Sequence, residues 1–241
     1  MTLLDHLHDL RTSPLFDEAE VPANVTFLTG MSHDEIATLA KTLPCPIPGD
    51  VALLLAECRG IDGLLDQIDF SGGLRNQIEA DDLFPHGLPI ASDGYGNFWI
   101  IDLHSHSTTW GPIWFHCHDA PTIAWQSADL DSFLGEVLRL HQPPFASLID
   151  EVHEQRIGTM VTKPPGQLSR EEALSSSDAL LFAFAQSLPE GWVIADLREA
   201  KVGDGFEWGR ADKLEVRRYG TAQLWAYKPK RGLFDMLLKR R

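Results

Sequence analysis

The apolar positions along this chain repeat with two different periods, and the change from one to the other divides it into blocks. Ser32 with Glu35 three residues on forms a capping box, and Ile36, Leu39, Ala40 and Leu43 follow at i, i+3, i+4 and i+7, one face of an amphipathic helix. Pro44, Pro46 and Pro48 stop it. A second helix is predicted from Pro48 or Gly49, with Val51, Leu54, Leu55 and Cys58 on one face and Gly60 as a left-handed cap. Residues 61–85 are acidic and irregular, with a turn at Gly72-Gly73. After that the period shortens to two. Leu88 to Ala91 reads as a short strand, and Ser92 to Asn97 as a reversal, because Asp and Gly tolerate the backbone angles of tight turns. Phe98 to Leu103 is apolar on both faces, as in a central strand. Beyond Gly111-Pro112, a strand from Ile113 to Cys117 puts Ile113, Phe115 and Cys117 on one face and Trp114, His116 and His118 on the other. Ile123-Ala124-Trp125 reads as one more short strand. Ser127 is expected to cap a helix whose Leu130, Phe133, Leu134, Val137 and Leu138 share a side.

Pro143-Pro144 closes that block, and a polar passage through Lys163-Pro164-Pro165-Gly166 reads as a connector, with a short helix near residues 145–156. A further capping box, Ser169 with Glu172, opens a helix carrying Leu174, Leu181, Phe184 and Leu188. Trp192 to Ala195 reads as a strand. Leu214 to Arg218 and Gln223 to Tyr227 flank Gly220-Thr221, which suits a two-residue type II′ hairpin. Leu233, Phe234, Leu237 and Leu238 give the stripe of a closing helix. Helices and strands fall in blocks rather than alternating, which predicts an α+β fold with a largely antiparallel sheet. The expected organisation is an N-terminal segment over 1–30, an α+β domain over 31–141, a connector over 142–168 and a smaller C-terminal α+β unit over 169–241.

Composition adds a direction to this picture. The chain is 44% hydrophobic and 23% charged, ordinary for a globular protein with a core. No apolar run approaches the roughly 20 residues that span a bilayer. The first fourteen residues lack the basic start and small-residue cleavage site of a signal peptide, so a cytoplasmic protein is expected. Cys45, Cys58 and Cys117, odd in number and far apart, give no disulfide framework and are expected as buried thiols. Charge is uneven. Residues 1–160 carry 6 Lys+Arg against 24 Asp+Glu, while residues 161–241 carry 14 against 11. So acidic a first part disfavours nucleic acid and anionic membrane as partners and suits steering toward a basic protein. Lys228-Pro229-Lys230-Arg231 and Lys239-Arg240-Arg241 make a modest basic end, the last three suiting a helix C-terminus.

The middle of the chain resembles the SUKH superfamily, the Smi/Knr-type proteins, over roughly residues 31–140. The amphipathic helix is followed by Leu43-Pro44, then by Ile47-Pro48-Gly49-Asp50 opening a helix that ends in Cys58-Arg59-Gly60, where the family usually closes with Asn-Gly. Gly87-Leu88-Pro89-Ile90-Ala91-Ser92-Asp93-Gly94-Tyr95-Gly96-Asn97 is similar to the family's glycine, apolar pair, Ala-x-Asp-Gly-x-Gly-Asn/Asp hairpin. The Phe98 strand, the Gly111-Pro112-Ile113-Trp114 strand and the Leu130–Leu138 helix come in the family's order. The resemblance implies a twisted, mostly antiparallel sheet packed by helices, with a non-enzymatic role as a toxin-immunity protein or regulatory interaction module. It brings no shared catalytic set, so no catalytic, cofactor or metal residue is carried over.

One motif points elsewhere. Asp102-Leu103-His104-Ser105-His106-Ser107 looks like the opening of PHP-type phosphoesterases, whose His-x-His sits at a strand end and binds metal. Alternate residues on a strand point the same way, so two imidazoles can share an ion, and His116, His118 and Asp119 stand near in sequence. Against this, the motif follows a hundred residues of other structure, and only His141 and His153 remain downstream. Asp93-Gly94-x-Gly96-Asn97 leads into a strand rather than a helix, so it reads as a turn and not a phosphate loop. Cys117 and its flanking histidines face opposite ways on a strand, which separates a thiol from any base.

The expected function is therefore stoichiometric binding of another protein, with a basic toxin domain as the candidate partner, no cofactor, and no nucleic acid or membrane. The expected contact residues are Asp62, Asp66, Asp69, Glu79, Asp81 and Asp82 in the irregular acidic segment, since loops carry binding function more often than core elements. Trp110 and Trp114, near Pro112, are expected as partly exposed anchors.

Overall fold

The computed structural model of the protein describes residues 2–17, 19–78, 80–118, 121–156, 166–207 and 215–229. Helix α1 (Leu3–Thr12) opens the chain, where the apolar pattern predicted none. A Thr2/Asp5 capping box starts it and Leu3, Leu7 and Leu10 are buried. After β1 (Thr26–Thr29) come the two predicted helices, α2 (His33–Ala40), with the Ser32/Glu35 capping box formed, and α3 (Gly49–Glu57). The second is shorter than expected. It ends at Glu57 and passes directly into β2 (Cys58–Asp62), so Gly60 is a strand residue and not a helix cap. A side chain there would meet the Ile68 carbonyl oxygen at 2.4 Å. The segment read as irregular holds β3 (Gln67–Asp69) and a 3-10 turn at Arg75–Gln77.

The sheet then builds outward through β4 (Leu88–Ser92), β5 (Phe98–Ile101), β6 (Ile113–Cys117) and β7 (Thr122–Ser127). Helix α4 (Leu130–Leu140) carries the predicted apolar stripe. Its cap is Asp129, whose carboxylate accepts from the Ser132 amide at 2.8 Å, because Ser127 is still paired in β7. The short helix expected near 145–156 is α5 (Leu148–Asp150), running into a π-helical turn at Glu151–Arg156.

Past β8 (Gln167–Ser169), the single helix expected after Ser169 is two. The capped helix α6 (Arg170–Leu174) stops, and Asp178, accepting from the Leu180 and Leu181 amides, starts α7 (Ala179–Ser187). Strands β9 (Val193–Asp196), β10 (Gly205–Glu207), β11 (Val216–Arg218) and β12 (Leu224–Tyr227) follow. The Tyr219 amide donates to the Leu224 carbonyl at 2.9 Å, so the hairpin loop runs from Gly220 to Gln223, longer than the two residues expected. Leu214, the closing helix around Leu233–Leu238 and the basic residues from Lys230 onward lie outside the described residues.

Every described strand pair is antiparallel, and the α+β class holds. One sheet has the order β1-β2-β3-β4-β5-β6-β7-β10 and the other β11-β12-β9-β8. The C-terminal part thus lends β10 to the first sheet, with Phe206 paired to Ile123. Alternation along the strands fixes four layers. Ile61, Ile68, Trp99, Ile101, Ile113 and Phe115 face helices α1, α3 and α4 in one core. The opposite face of the same sheet, with Phe98, Ile100, Trp114, Ile123 and Phe206, meets Ala195, Trp225 and Tyr227 of the second sheet. That sheet turns Ile194, Leu224 and Ala226 outward against α6 and α7. The three cysteines are buried free thiols, as expected.

Candidate functional site

The face of the first sheet turned away from helices α1 to α4 is divided in two. Over one half the second sheet is clamped. Trp225 packs edge-on against Trp114 with ring centres 5.1 Å apart and donates from its indole nitrogen to the Leu83 carbonyl at 3.0 Å. Beside it Arg218 of β11 reaches across and meets both carboxylate oxygens of Asp102, each at 2.6 Å, with both side chains almost wholly buried. The guanidinium lies 4.9 Å over the Trp225 ring. A bidentate, charge-assisted pair of this kind is strongly directional.

The other half is open. A groove of about 610 Å³ runs over it, lined by Asp66, Gln67, Gln77, Ile78, Ser92, Gly94, Gly96, Phe98, His116 and His118. A smaller cleft of about 210 Å³ shares Ile78 and includes Asp81, Arg75, Thr42 and His86. Burial depresses the His116 imidazole to about 4, so it is neutral at physiological pH. The rim is the β4–β5 turn. There Asp93 Oδ1 accepts from the amides of Tyr95 and Asn97 at 2.9 and 3.1 Å, and Asp93 Oδ2 accepts from Asn97 Nδ2 at 2.6 Å. Ser92 Oγ accepts from the Gly94 amide, and Asn97 Oδ1 accepts from the His118 amide at 3.0 Å. The turn that the sequence indicated is thus a hydrogen-bonded Asx structure tied to the end of β6.

Residues 30–136 match the model of the SMI1 / KNR4 family (SUKH-1). Over this stretch the chain is similar to SUKH-1 proteins. No curated protein and no solved structure matches the chain. The matched stretch runs from just before α2 into α4 and holds β2 to β7, the elements on which the resemblance rested. Strand β1 precedes it, and β8 to β12 lie beyond it.

Within the matched stretch the expected contact residues separate. Asp66 is exposed and lines the groove, and Asp62 is half-buried at the base of the same β2–β3 hairpin. Asp81 and Asp82 are exposed on the segment between the two clefts and β4. Asp69 is different: it is 8% exposed and its carboxylate accepts from the Ser71 amide and hydroxyl at 2.6 and 2.7 Å, which makes it a turn-former rather than a surface group. Glu79 lies outside the described residues. Trp110 and Trp114 are 2% and 0% exposed, the first in the helix-side core and the second between the sheets, so neither is the exposed anchor that its neighbourhood to Pro112 suggested. For Trp114, strand alternation on β6 turns the ring toward the second sheet and outweighs the turn signal.

The metal motif comes apart as well. Strand β5 ends at Ile101, so Asp102 to Ser107 is loop and the alternation argument does not apply. Asp102 is held by Arg218, and His104 Nδ1 lies 3.2 Å from the His106 amide. Among the described residues no group of three or more His, Cys, Asp or Glu could hold a metal ion. Cys117 faces the helix-side core, away from His116. Sequence reasoning missed two residues. Arg218 carried no local signal. Tyr95 did, as an aromatic between two glycines in a turn, where no neighbouring side chain can cover it. Among the described residues no helix is long and apolar enough to cross a membrane.

Proposed function

We propose that the protein is a non-catalytic binding module that acts in the cytoplasm by stoichiometric association with another protein, and that it serves as an immunity protein neutralising a basic toxin domain. The observation that carries this reading is the SUKH-1 match, a family associated with immunity proteins and Smi1/Knr4 regulators. Two features support it. Asp66 lines the open groove, Asp81 lines the smaller cleft and Asp82 is exposed beside it, in a region of strongly negative charge, which favours steering of a cationic partner. The carboxylate of the one metal-like motif is engaged by an arginine.

The test is recovery of a stoichiometric partner on the tagged full chain in its native host, followed by co-expression of that partner with and without this protein. Protection of growth is the expected result. A stoichiometric partner that is not toxic would favour the regulatory reading, which the family name equally supports. Turnover of a phosphate ester dependent on His104 and His106 would overturn both.

A further inference from the structure

The β4–β5 turn is built to hold one aromatic ring out in solvent. Tyr95 is 81% exposed, more than any other large apolar side chain among the described residues. Its two neighbours, Gly94 and Gly96, have φ of +75° and +95°. A Cβ on the first would lie 3.0 Å from the Asp66 carboxyl carbon, and one on the second 2.9 Å from the His118 ring. The tip is therefore wedged between a carboxylate and an imidazole, and the Asp93 and Asn97 hydrogen bonds fix the backbone beneath it. An exposed tyrosine on a backbone so constrained loses little freedom when a partner covers it, the property that makes such residues effective contact anchors.

The chemistry beside the ring is selective. The Asp66 carbonyl accepts from the Gly63 amide at 2.9 Å, but its carboxylate forms no hydrogen bond or ion pair among the described residues and stands against the backbone of Gly94, next to Tyr95. Asp93, by contrast, is occupied by the turn. An exposed ring on a turn whose preceding glycine packs against an unpaired carboxylate suits a cation: the ring quadrupole attracts it and the carboxylate can pair with it. A planar guanidinium can stack on the ring and still point donors at Asp66, which a point-charged ammonium does less well. We propose that the Tyr95 tip together with Asp66 is a docking site for a cationic side chain, arginine in preference to lysine, on a basic protein partner. This rests on the binding-module reading above and names the contact it would use.

The probe is a hexapeptide of alternating arginine and glycine titrated into the 15N-labelled full chain, with lysine and glutamate versions for comparison. Saturable amide shifts centred on Asp66, Gly94, Tyr95 and Gly96 are expected, arginine binding tighter than lysine and glutamate not at all. Affinity should fall roughly three- to fivefold in Tyr95→Ala and in Asp66→Asn, both exposed sites whose fold can be checked by their spectra. Glu190→Gln, an exposed carboxylate beyond α7, should leave it unchanged. Shifts centred elsewhere on the acidic surface, or full affinity in Tyr95→Ala, would overturn the assignment. A stoichiometric protein partner bound equally well by both variants would also overturn the tip, while leaving the binding-module reading intact. Specific arginine-peptide binding here, with no protein partner in the host, would keep the tip as a cation site and remove that reading instead.

Discussion

Replacing Arg218 with methionine tests how the two sheets are joined. The side chains of Arg218 and Asp102 are 5% and 2% exposed, and two hydrogen bonds of 2.6 Å link them. Methionine fills part of the volume but strands a carboxylate in a nearly dry joint. Removing one member of a buried ion pair costs about 3–5 kcal/mol, because the remaining charge has neither water nor partner. The guanidinium's bond to the Leu83 carbonyl is lost too. Against a usual total of about 5–15 kcal/mol, that is a large fraction. With a urea slope of about 2–3 kcal/mol per molar, the unfolding midpoint should fall by roughly 1–2 M. Tryptophan fluorescence is the assay, since Trp225 and Trp114 lie in the joint. The second arm is Asp102→Leu combined with Arg218→Met, which buries no charge and should recover at least about 2 kcal/mol. A loss under about 0.5 kcal/mol in Arg218→Met, or a double variant as unstable as the two singles added, would refute the reasoning.

Other perturbations have equally definite outcomes. Burial holds the His116 pKa near 4 in the folded protein against 6.5 when exposed, so the unfolded chain takes up the proton first as pH falls. Stability should therefore drop by about 2 kcal/mol between pH 7.5 and 5 and keep dropping until pH passes 4; His116→Gln should flatten that part of a urea-midpoint profile. Trp225→Ala removes a fully buried ring set among Phe84, Trp114 and Phe206 and should cost about 3–5 kcal/mol, read as a lowered Tm. Asp129→Ala should cost about 1 kcal/mol by uncapping α4. Replacing both His104 and His106 with alanine should change stability by under about 0.5 kcal/mol and leave the metal content of the purified protein as it was.

What the sequence made legible is what local chemistry decides. The two faces of β6 could be assigned because its side chains alternate, with Ile113, Phe115 and Cys117 on the helix-side core and Trp114 and His116 on the opposite face. The α2 cap was legible because Ser32 and Glu35 satisfy each other locally. Strand β3 was not, since three residues are too few to show a period. The acidic segment read as one surface, yet Asp69 folds back onto its own turn while Asp66 does not, and nothing in their spacing separates them. The pairing of Asp102 with Arg218 spans 116 positions and depends on how two sheets dock. Packing creates that contact; no local pattern announces it. The same is true of Trp114, whose burial is settled by a second sheet from the far end of the chain.

That dependence sets a limit on the matched segment itself. Residues 1–141 contain every strand of the first sheet except β10, and the family match ends at residue 136. A chain cut at 141 would nevertheless uncover Leu83, Phe84, Phe98, Ile100, Trp114 and Ile123, each 5% exposed or less in the whole protein. Fully burying a large apolar side chain is worth about 1.5–3 kcal/mol. For these side chains together the upper limit is roughly 9–18 kcal/mol, which matches or exceeds the net stability of a typical domain. Losing β10 also turns β7 into a bare edge, with unpaired backbone groups open to other chains. The fragment should therefore be aggregated, or expanded and dye-binding, by size-exclusion chromatography and ANS fluorescence, and co-expression of residues 142–241 should restore it. A monomeric 1–141 fragment with a cooperative urea transition near that of the full chain would refute this. The matched family segment would then fold by its own core alone, and the second sheet would be an attachment to it, not the other half of its interior.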